Sequence, residues 1–242
     1  RRVLFRSEEE FWERIWNYPF SREEIQKYLN MVIYTIDFRS RHTVTHTMTT
    51  TSISYELAKR MGVTGQDLSD IYFGALLHDL GKIGIPVEIL EFPGKLSPQA
   101  MRIMRTHVEL TGRILGQDVE EKIRKIALRH HEKLDGSGYP KGIPGAELTM
   151  GERIVAVADI VSALAGTRSY KEAFPKERIL SIIETMKADG LIDRDAVDKI
   201  ASDFDEIMEE TAGRCQPILD MYHGIQAEYL QIEGYMAYIG NN

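Results

Sequence analysis

Apolar residues recur along this chain at spacings of three and four, the repeat of a helix face, and strand-like alternation is convincing nowhere. The stretch SREE at 21–24 has the form of a capping box, with Ser21 as N-cap and Glu24 three residues on. Ile25, Leu29, Val32, Ile33 and Ile36 then share one face, which predicts a helix over about 22–37. A second periodic run covers about 41–61 and stops at Gly62, and a third covers about 66–79. Ser97 and Pro98 read as N-cap and first helical residue of a helix carried to Gly116 through Met101, Met104, Val108 and Leu115. Further helices are predicted at 118–132, at 152–165, from Pro175 onward, at 193–210 and at 212–238. Between them, residues 133–151 hold five glycines and two prolines, which marks an ordered loop. The fold class is therefore all-α, a helical bundle.

Three segments follow from the pattern: a helical lead-in over 1–36, a compact core over 37–210 and a terminal helix over 211–242. The last carries Ile218, Leu219, Tyr222, Ile225, Tyr229, Leu230 and Ile232 as a stripe, suited either to packing within the chain or to a homodimer through the terminal helices.

Composition narrows the chemistry. With 43% hydrophobic and 28% charged residues, the 242-residue chain has the make-up of a folded globular protein and not of a disordered one. Its longest apolar runs, such as IVAVADIVSALA at 154–165, are too short to span a membrane, and no signal-peptide core opens the chain. A cytoplasmic protein without membrane contact is expected. A net charge of −7 argues against a nucleic-acid polymer as partner. The single cysteine, Cys215, leaves nitrogen and oxygen ligands as the donors for any metal site.

The seven histidines are placed accordingly. His42 and His46 are four apart on one helix face; His78 and Asp79 are adjacent at a helix end; His107 stands mid-helix; His130 and His131 end a helix. Adjacent helical side chains diverge by about 100°, so the pair suits two different ions better than one. Asp159 lies within AVADIV, a carboxylate on a helix that must be buried. One such histidine is more often a surface or core residue than a ligand. Six of them with two apolar-embedded aspartates are harder to explain separately, since burying a lone carboxylate is unfavourable and a cation removes that penalty. His223 falls outside the pattern and is read as non-functional.

HDLGK at 78–82 resembles the signature of the HD superfamily of metal-dependent phosphohydrolases, and HHEKLDGSGYP at 130–140 resembles that of its HD-GYP subgroup. His46 precedes them, His107 lies between, and RIVAVAD and TRSYK follow, so the resemblance covers about 40–205.

The resemblance implies a helical domain that holds two or three divalent metal ions, iron or manganese, and hydrolyses a cyclic dinucleotide, foremost cyclic di-GMP. It implies His46, His78, Asp79, His107, His130, His131 and Asp159 as ligands, with Asp79 bridging. His42 occupies the place where some members carry a glutamate associated with a third metal. Divalent cations make water nucleophilic at neutral pH and neutralise charge on phosphate oxygens. Lys82 resembles the family lysine that faces the phosphate, Tyr139 the tyrosine beside the guanine or ribose, and Arg168 and Lys171 the basic residues on the second phosphate or base.

Two positions depart from the family pattern. ADIVSAL places Ser162 where an aspartate near a guanine is common, and Ser169 replaces the proline of RPYR. A loss of base selection at Ser162 keeps cyclic GMP-AMP open as substrate. A degenerate binding module and an HD hydrolase of another nucleotide are the competing readings; the full ligand set argues against the first and the GYP loop against the second. HD-GYP domains commonly follow sensor or receiver domains, so an upstream domain of that kind is expected as well.

Overall fold

The computed structural model describes residues 45–166 and 173–240 and, before them, Pro19, Ser21, Glu24, Lys27, Tyr28, Leu29, Met31 and Ile33. His42, Arg168 and Lys171 lie outside the described residues. The helices are α1 (His46–Arg60), α2 (Gly65–Leu77), α3 (Val87–Leu90), α4 (Pro98–Arg105), α5 (His107–Leu115), α6 (Glu121–Leu128), α7 (Met150–Ala165), α8 (Lys176–Ala188), α9 (Arg194–Ser202) and α10 (Phe204–Gly240). Short 3-10 turns cover Leu80–Gly84 and Gly145–Glu147. Among the described residues there is no strand, and the fold is all-α.

α1 runs through the middle and packs on α2, α7 and α10. Its sequence, HTMTTTSISYELAKR, is a poor helix former because β-branched and hydroxyl side chains lose freedom or compete for backbone groups. Burial holds it: Ile53 and Leu57 enter one core with Ile71 of α2, Ile154 and Val157 of α7, Ile183 of α8 and Ile207 of α10. The hydroxyls are also used. Thr51 donates to the Thr47 carbonyl at 2.7 Å, and Ser52 accepts from Thr211 and Arg214 of α10, each at 3.0 Å. Buried Glu56 pairs with Arg60 and Arg214, and its carboxyl is held below the usual range: burial opposes the charge, but hydrogen bonds from the two guanidiniums outweigh it.

A second core joins Ile33 to Leu76, Leu77, Leu80, Leu115 and Ala127. It fixes the end of α2 against α5 and α6. The predicted caps are present: Ser21 and Glu24 bond reciprocally, and the Ser97 hydroxyl accepts from Ala100 N–H at 3.2 Å. α7 has a capping box of its own between Thr149 and Glu152, and Arg129 reaches Glu152 at 3.1 Å, joining the end of α6 to the start of α7.

Three elements differ from the sequence reading. The single helix expected from 98 to 116 is two, broken at Thr106. There the Ile103 carbonyl accepts from both the backbone N–H and the hydroxyl of Thr106, and His107 Nδ1 takes the Met104 carbonyl at 2.7 Å. Side chains thus replace the continuing ladder. The helix expected over 118–132 ends at Leu128. The break expected near 211 lies instead at Asp203, and α10 runs unbroken to Gly240 with Pro217 inside it. Phe204 and Ile207 at its start and Ile218 beyond Pro217 are buried, whereas Met221, Ile225, Tyr229 and Ile232 are exposed further along.

The turn after α2 is held from two sides. Gly81 N–H donates to Thr111 Oγ1 at 2.9 Å, and that hydroxyl donates to the His78 carbonyl at 3.1 Å. A Cβ on Gly81 would stand 1.9 Å from the His107 carbonyl oxygen, so only glycine admits this contact. Gly81→Ala is expected to lower unfolding free energy by about 2 kcal/mol or more, measured by denaturant titration.

Candidate metal centre

Helix ends and turns deliver most of the candidate side chains to one place. His46 is the first residue of α1, His78 and Asp79 follow α2, His107 opens α5, and His130 and His131 follow α6. Asp159 comes from within α7. His78, Asp79, His107, His130 and Asp159 are all buried.

Two groups of potential ligand atoms result: His46, His78 and Asp79, and His107, His130 and His131, with the atoms of each group within 4.8 Å of one another. Asp79 spans both. Its Oδ2 lies 3.0 Å from His78 Nε2 and 3.4 Å from His46 Nε2, while Oδ1 lies 3.4 Å from His107 Nε2. Asp159 spans them too, with Oδ1 3.1 Å from His46 Nε2 and Oδ2 3.6 Å from His131 Nδ1. The sequence reading gave the bridging role to Asp79 alone.

His130 and His131 also differ from expectation. Because α6 stops at Leu128, the residues after it form a turn, and the helical stagger does not apply. Their ring centroids are 4.0 Å apart, and both join His107 in one group.

The donor set fits divalent cations. Nδ1 of His78, His107 and His130 lies 2.6, 2.7 and 2.7 Å from the carbonyls of Ala75, Met104 and Ala127, each three residues earlier. A carbonyl only accepts, so in the neutral ring the proton sits on Nδ1 and the Nε2 lone pair faces inward. His107 Nε2 and His130 Nε2 are 3.4 Å apart, lone pair toward lone pair. His78 Nε2 and Asp79 Oδ1 are buried without a hydrogen-bond partner. A cation in each group would satisfy these atoms.

Protonation follows the same pattern. Burial first, then repulsion from neighbouring imidazoles, holds His130 well below its ordinary value. His131 falls to about 4, chiefly through burial, and His107 is lowered for the same first reason. Asp79 stays ionised: burial disfavours its charge, but His78 and Lys82 outweigh it. Asp159 is likewise held far below the carboxylate range, against its burial, by its bond from His46 and the imidazoles around it. His46 goes the other way. Burial and Lys82 push it down, yet bonds to Asp159 and Asp79 hold it up at about 9.

Around this centre, the Lys82 ammonium contacts Asp79. Tyr139 packs on His131 with ring centroids 4.6 Å apart, and the Arg105 guanidinium lies 4.6 Å from the Tyr139 centroid. The Tyr139 hydroxyl stays protonated, raised by burial and then by Asp159 and Asp79. Gly136 takes φ +78°, and a Cβ on Gly138 would meet Lys133 N at 2.4 Å, so the loop needs both glycines. Glu132 anchors the loop: its buried carboxylate accepts from Lys141 N–H at 2.8 Å and Ile143 N–H at 3.0 Å. Ser162, read from sequence as facing a base, is buried with its hydroxyl 3.1 Å from His46 Nδ1.

Glu132, Thr111 and Arg105 were not singled out in the sequence. Glu132 was within reach, as the third residue of the HHE run; Thr111 and Arg105 carried no local signal.

A helical domain in which buried imidazoles converge on two shared carboxylates is the architecture of a metal-centred domain of the HD type. The chain belongs to the HD domain family, which it matches over residues 30–196. It is 37% identical over 187 residues to a cyclic di-GMP phosphodiesterase of Thermotoga maritima, covering 76% of this chain and 49% of that protein. It is 33% identical over 180 residues to 3'3'-cGAMP-specific phosphodiesterase 3 of Vibrio cholerae, covering 71% and 39%. The chain thus spans about half the length, or less, of these curated relatives. Among solved structures it is similar in fold to Bd1817, an HDG"Y"P protein of Bdellovibrio bacteriovorus, with TM-score 0.58 and 18% identity over 80% of this chain and 67% of that one. The HD domain of the L. monocytogenes phosphodiesterase PgpH, solved in complex with cyclic-di-AMP, matches with TM-score 0.55 and 20% identity over 75% and 95%. No helix among the described residues is long and apolar enough to cross a membrane.

A pH dependence follows from His46. Its value in the fold, about 9, exceeds its ordinary 6.5, so its contribution to the stability of metal-free protein is full below 6.5 and lost as pH rises through 9. Metal binding needs the neutral ring, so Mn2+ loading at pH 7 is expected to release about one proton per chain from His46, and almost none from it at pH 10. Calorimetry in buffers of different ionisation enthalpy measures this; proton release equal at the two pH values would refute it.

Proposed function

We propose that this chain is a metal-dependent phosphodiesterase that hydrolyses a cyclic dinucleotide, with cyclic di-GMP as its first substrate. The observation that carries the reading is the pair of carboxylates, Asp79 and Asp159, each reaching both histidine groups. A site that holds two cations side by side is the kind that clamps the attacking and leaving oxygens of a phosphate.

In this reading His46, His78, Asp79, His107, His130, His131 and Asp159 hold two divalent ions, iron or manganese, with both aspartates shared; His42 is the candidate for a third. When bound, the ions activate water and neutralise charge on the scissile phosphate. The remaining work belongs to the chain. Lys82, held at Asp79, presents a positive charge to the phosphate. Tyr139 donates a hydrogen bond from a hydroxyl that does not ionise at neutral pH. Arg168 and Lys171 hold the second phosphate, a task suited to the planar donor fork of arginine. Glu132 holds the loop that carries Tyr139 through the N–H groups of Lys141 and Ile143.

Cyclic GMP-AMP is the second reading, favoured by the relationship to the cGAMP-specific phosphodiesterase. The relatives' greater length supports a sensor or receiver domain in the same polypeptide, and the exposed stripe on α10 suits a second copy of the chain.

The test is chromatography of products after incubating Mn2+- or Fe2+-loaded protein with each dinucleotide. Metal-dependent loss of cyclic di-GMP is expected, with Asp79→Ala slower by about a thousandfold and Lys82→Ala by roughly a hundredfold. No turnover of either substrate by protein carrying two ions per chain would reject the proposal.

A further inference from the structure

Three histidines of the centre use one device to aim Nε2, a hydrogen bond from Nδ1 to the carbonyl three residues earlier. His46 uses another. It opens α1, and its Nδ1 lies 3.1 Å from the hydroxyl of Ser162 on α7. The same hydroxyl donates to the His46 carbonyl at 3.3 Å. A serine hydroxyl has one proton. With that proton on the carbonyl oxygen, only a lone pair is left for the ring, so Nδ1–H must donate to Ser162.

We infer that Ser162 is a positioning residue for the metal centre, fixing the orientation and tautomer of His46 so that Nε2 faces the shared carboxylates, and that it takes no part in choosing the nucleotide base. The geometry supports both halves. Nε2 of His46 stands 3.1 Å from Asp159 and 3.4 Å from Asp79, so the metal-facing edge of the ring is the one Ser162 does not touch. Asp159 and Ser162 are three residues apart on α7, which puts a ligand and the residue that orients its neighbour on one helix face. Ser162 is 2% exposed, and its hydroxyl is engaged at both the ring and the carbonyl of His46. A hydrogen bond to the far nitrogen of a ligand imidazole sets its tautomer and raises its basicity, and its loss weakens metal binding about 10- to 100-fold.

The inference rests on His46 as a metal ligand, so its first test needs no turnover. Mn2+ is titrated calorimetrically into metal-free protein. Ser162→Ala is expected to bind about 10- to 100-fold more weakly, and Ser162→Asp, whose carboxylate also accepts from Nδ1–H, to recover that loss. At saturating Mn2+ the ratio of kcat/KM for cyclic di-GMP over cyclic GMP-AMP is expected to be the same in wild type and Ser162→Ala. Wild-type affinity in Ser162→Ala would overturn the positioning role. So would a loss that folded Ser162→Asp fails to recover, since it would mark packing alone. If Ser162→Asp does not fold by circular dichroism, Ser162→Asn, whose side-chain oxygen also accepts from Nδ1–H, takes its place. A shift in that ratio in Ser162→Ala would overturn the second half and return Ser162 to base selection. If neither dinucleotide is turned over, the proposed function fails while the affinity result still judges the positioning role.

Discussion

Two carboxylates buried among five imidazoles set the terms for the rest of this molecule. Asp79 and Asp159 stay ionised inside the fold because the groups around them oppose the penalty of burial, and each reaches both clusters of histidines. Such a cluster is tolerable only if every member is held in place, since an imidazole free to turn would lose its partner and leave a buried charge uncompensated. The helices end where they do for this reason. α2, α5 and α6 start or stop within a residue or two of a candidate ligand, and carbonyls released at those turns accept from Nδ1 atoms. Irregular backbone at the centre is thus what orients the donors.

Support then spreads outward. Thr111 and Gly81 lock the turn carrying His78 and Asp79 onto the helix that begins with His107. Arg129 and Glu152 tie the residue before His130 to the helix bearing Asp159. Glu132 fixes the loop that sets Tyr139 against His131. On the far side, Ser52 and Glu56 of α1 hold α10 through Thr211 and Arg214, so the helix that opens with His46 is braced along its length.

Much of this was legible in the sequence where local chemistry is strong. Period, caps and the glycine-rich loop marked the all-α class, and the adjacent pairs His78–Asp79 and His130–His131 at predicted helix ends, with His46, His107 and Asp159 on helices, marked the candidate ligands; that His46 and His107 open their helices was not legible. What was hidden depends on contacts between distant segments. The break at Thr106 arises from side chains taking the carbonyls of Ile103 and Met104, while the apolar period runs on unbroken. That Asp159 reaches both histidine groups depends on the packing of α7 against α1 and α6. The contacts of Ser162 were hidden because its partner, His46, is 116 residues away, and motif position alone gave no hint that its hydroxyl faces a ring edge and a carbonyl. α1 was recognised as a helix despite its threonines, although only tertiary packing explains why it persists.

The most direct measurement is anomalous diffraction at the manganese edge from crystals of Mn2+-loaded protein. Two peaks are expected, one at His46, His78 and Asp79 and one at His107, His130 and His131, with an oxygen of Asp79 and of Asp159 turned to each. A single peak with Asp159 turned away from it, or peaks elsewhere, would contradict the account of a shared two-carboxylate centre.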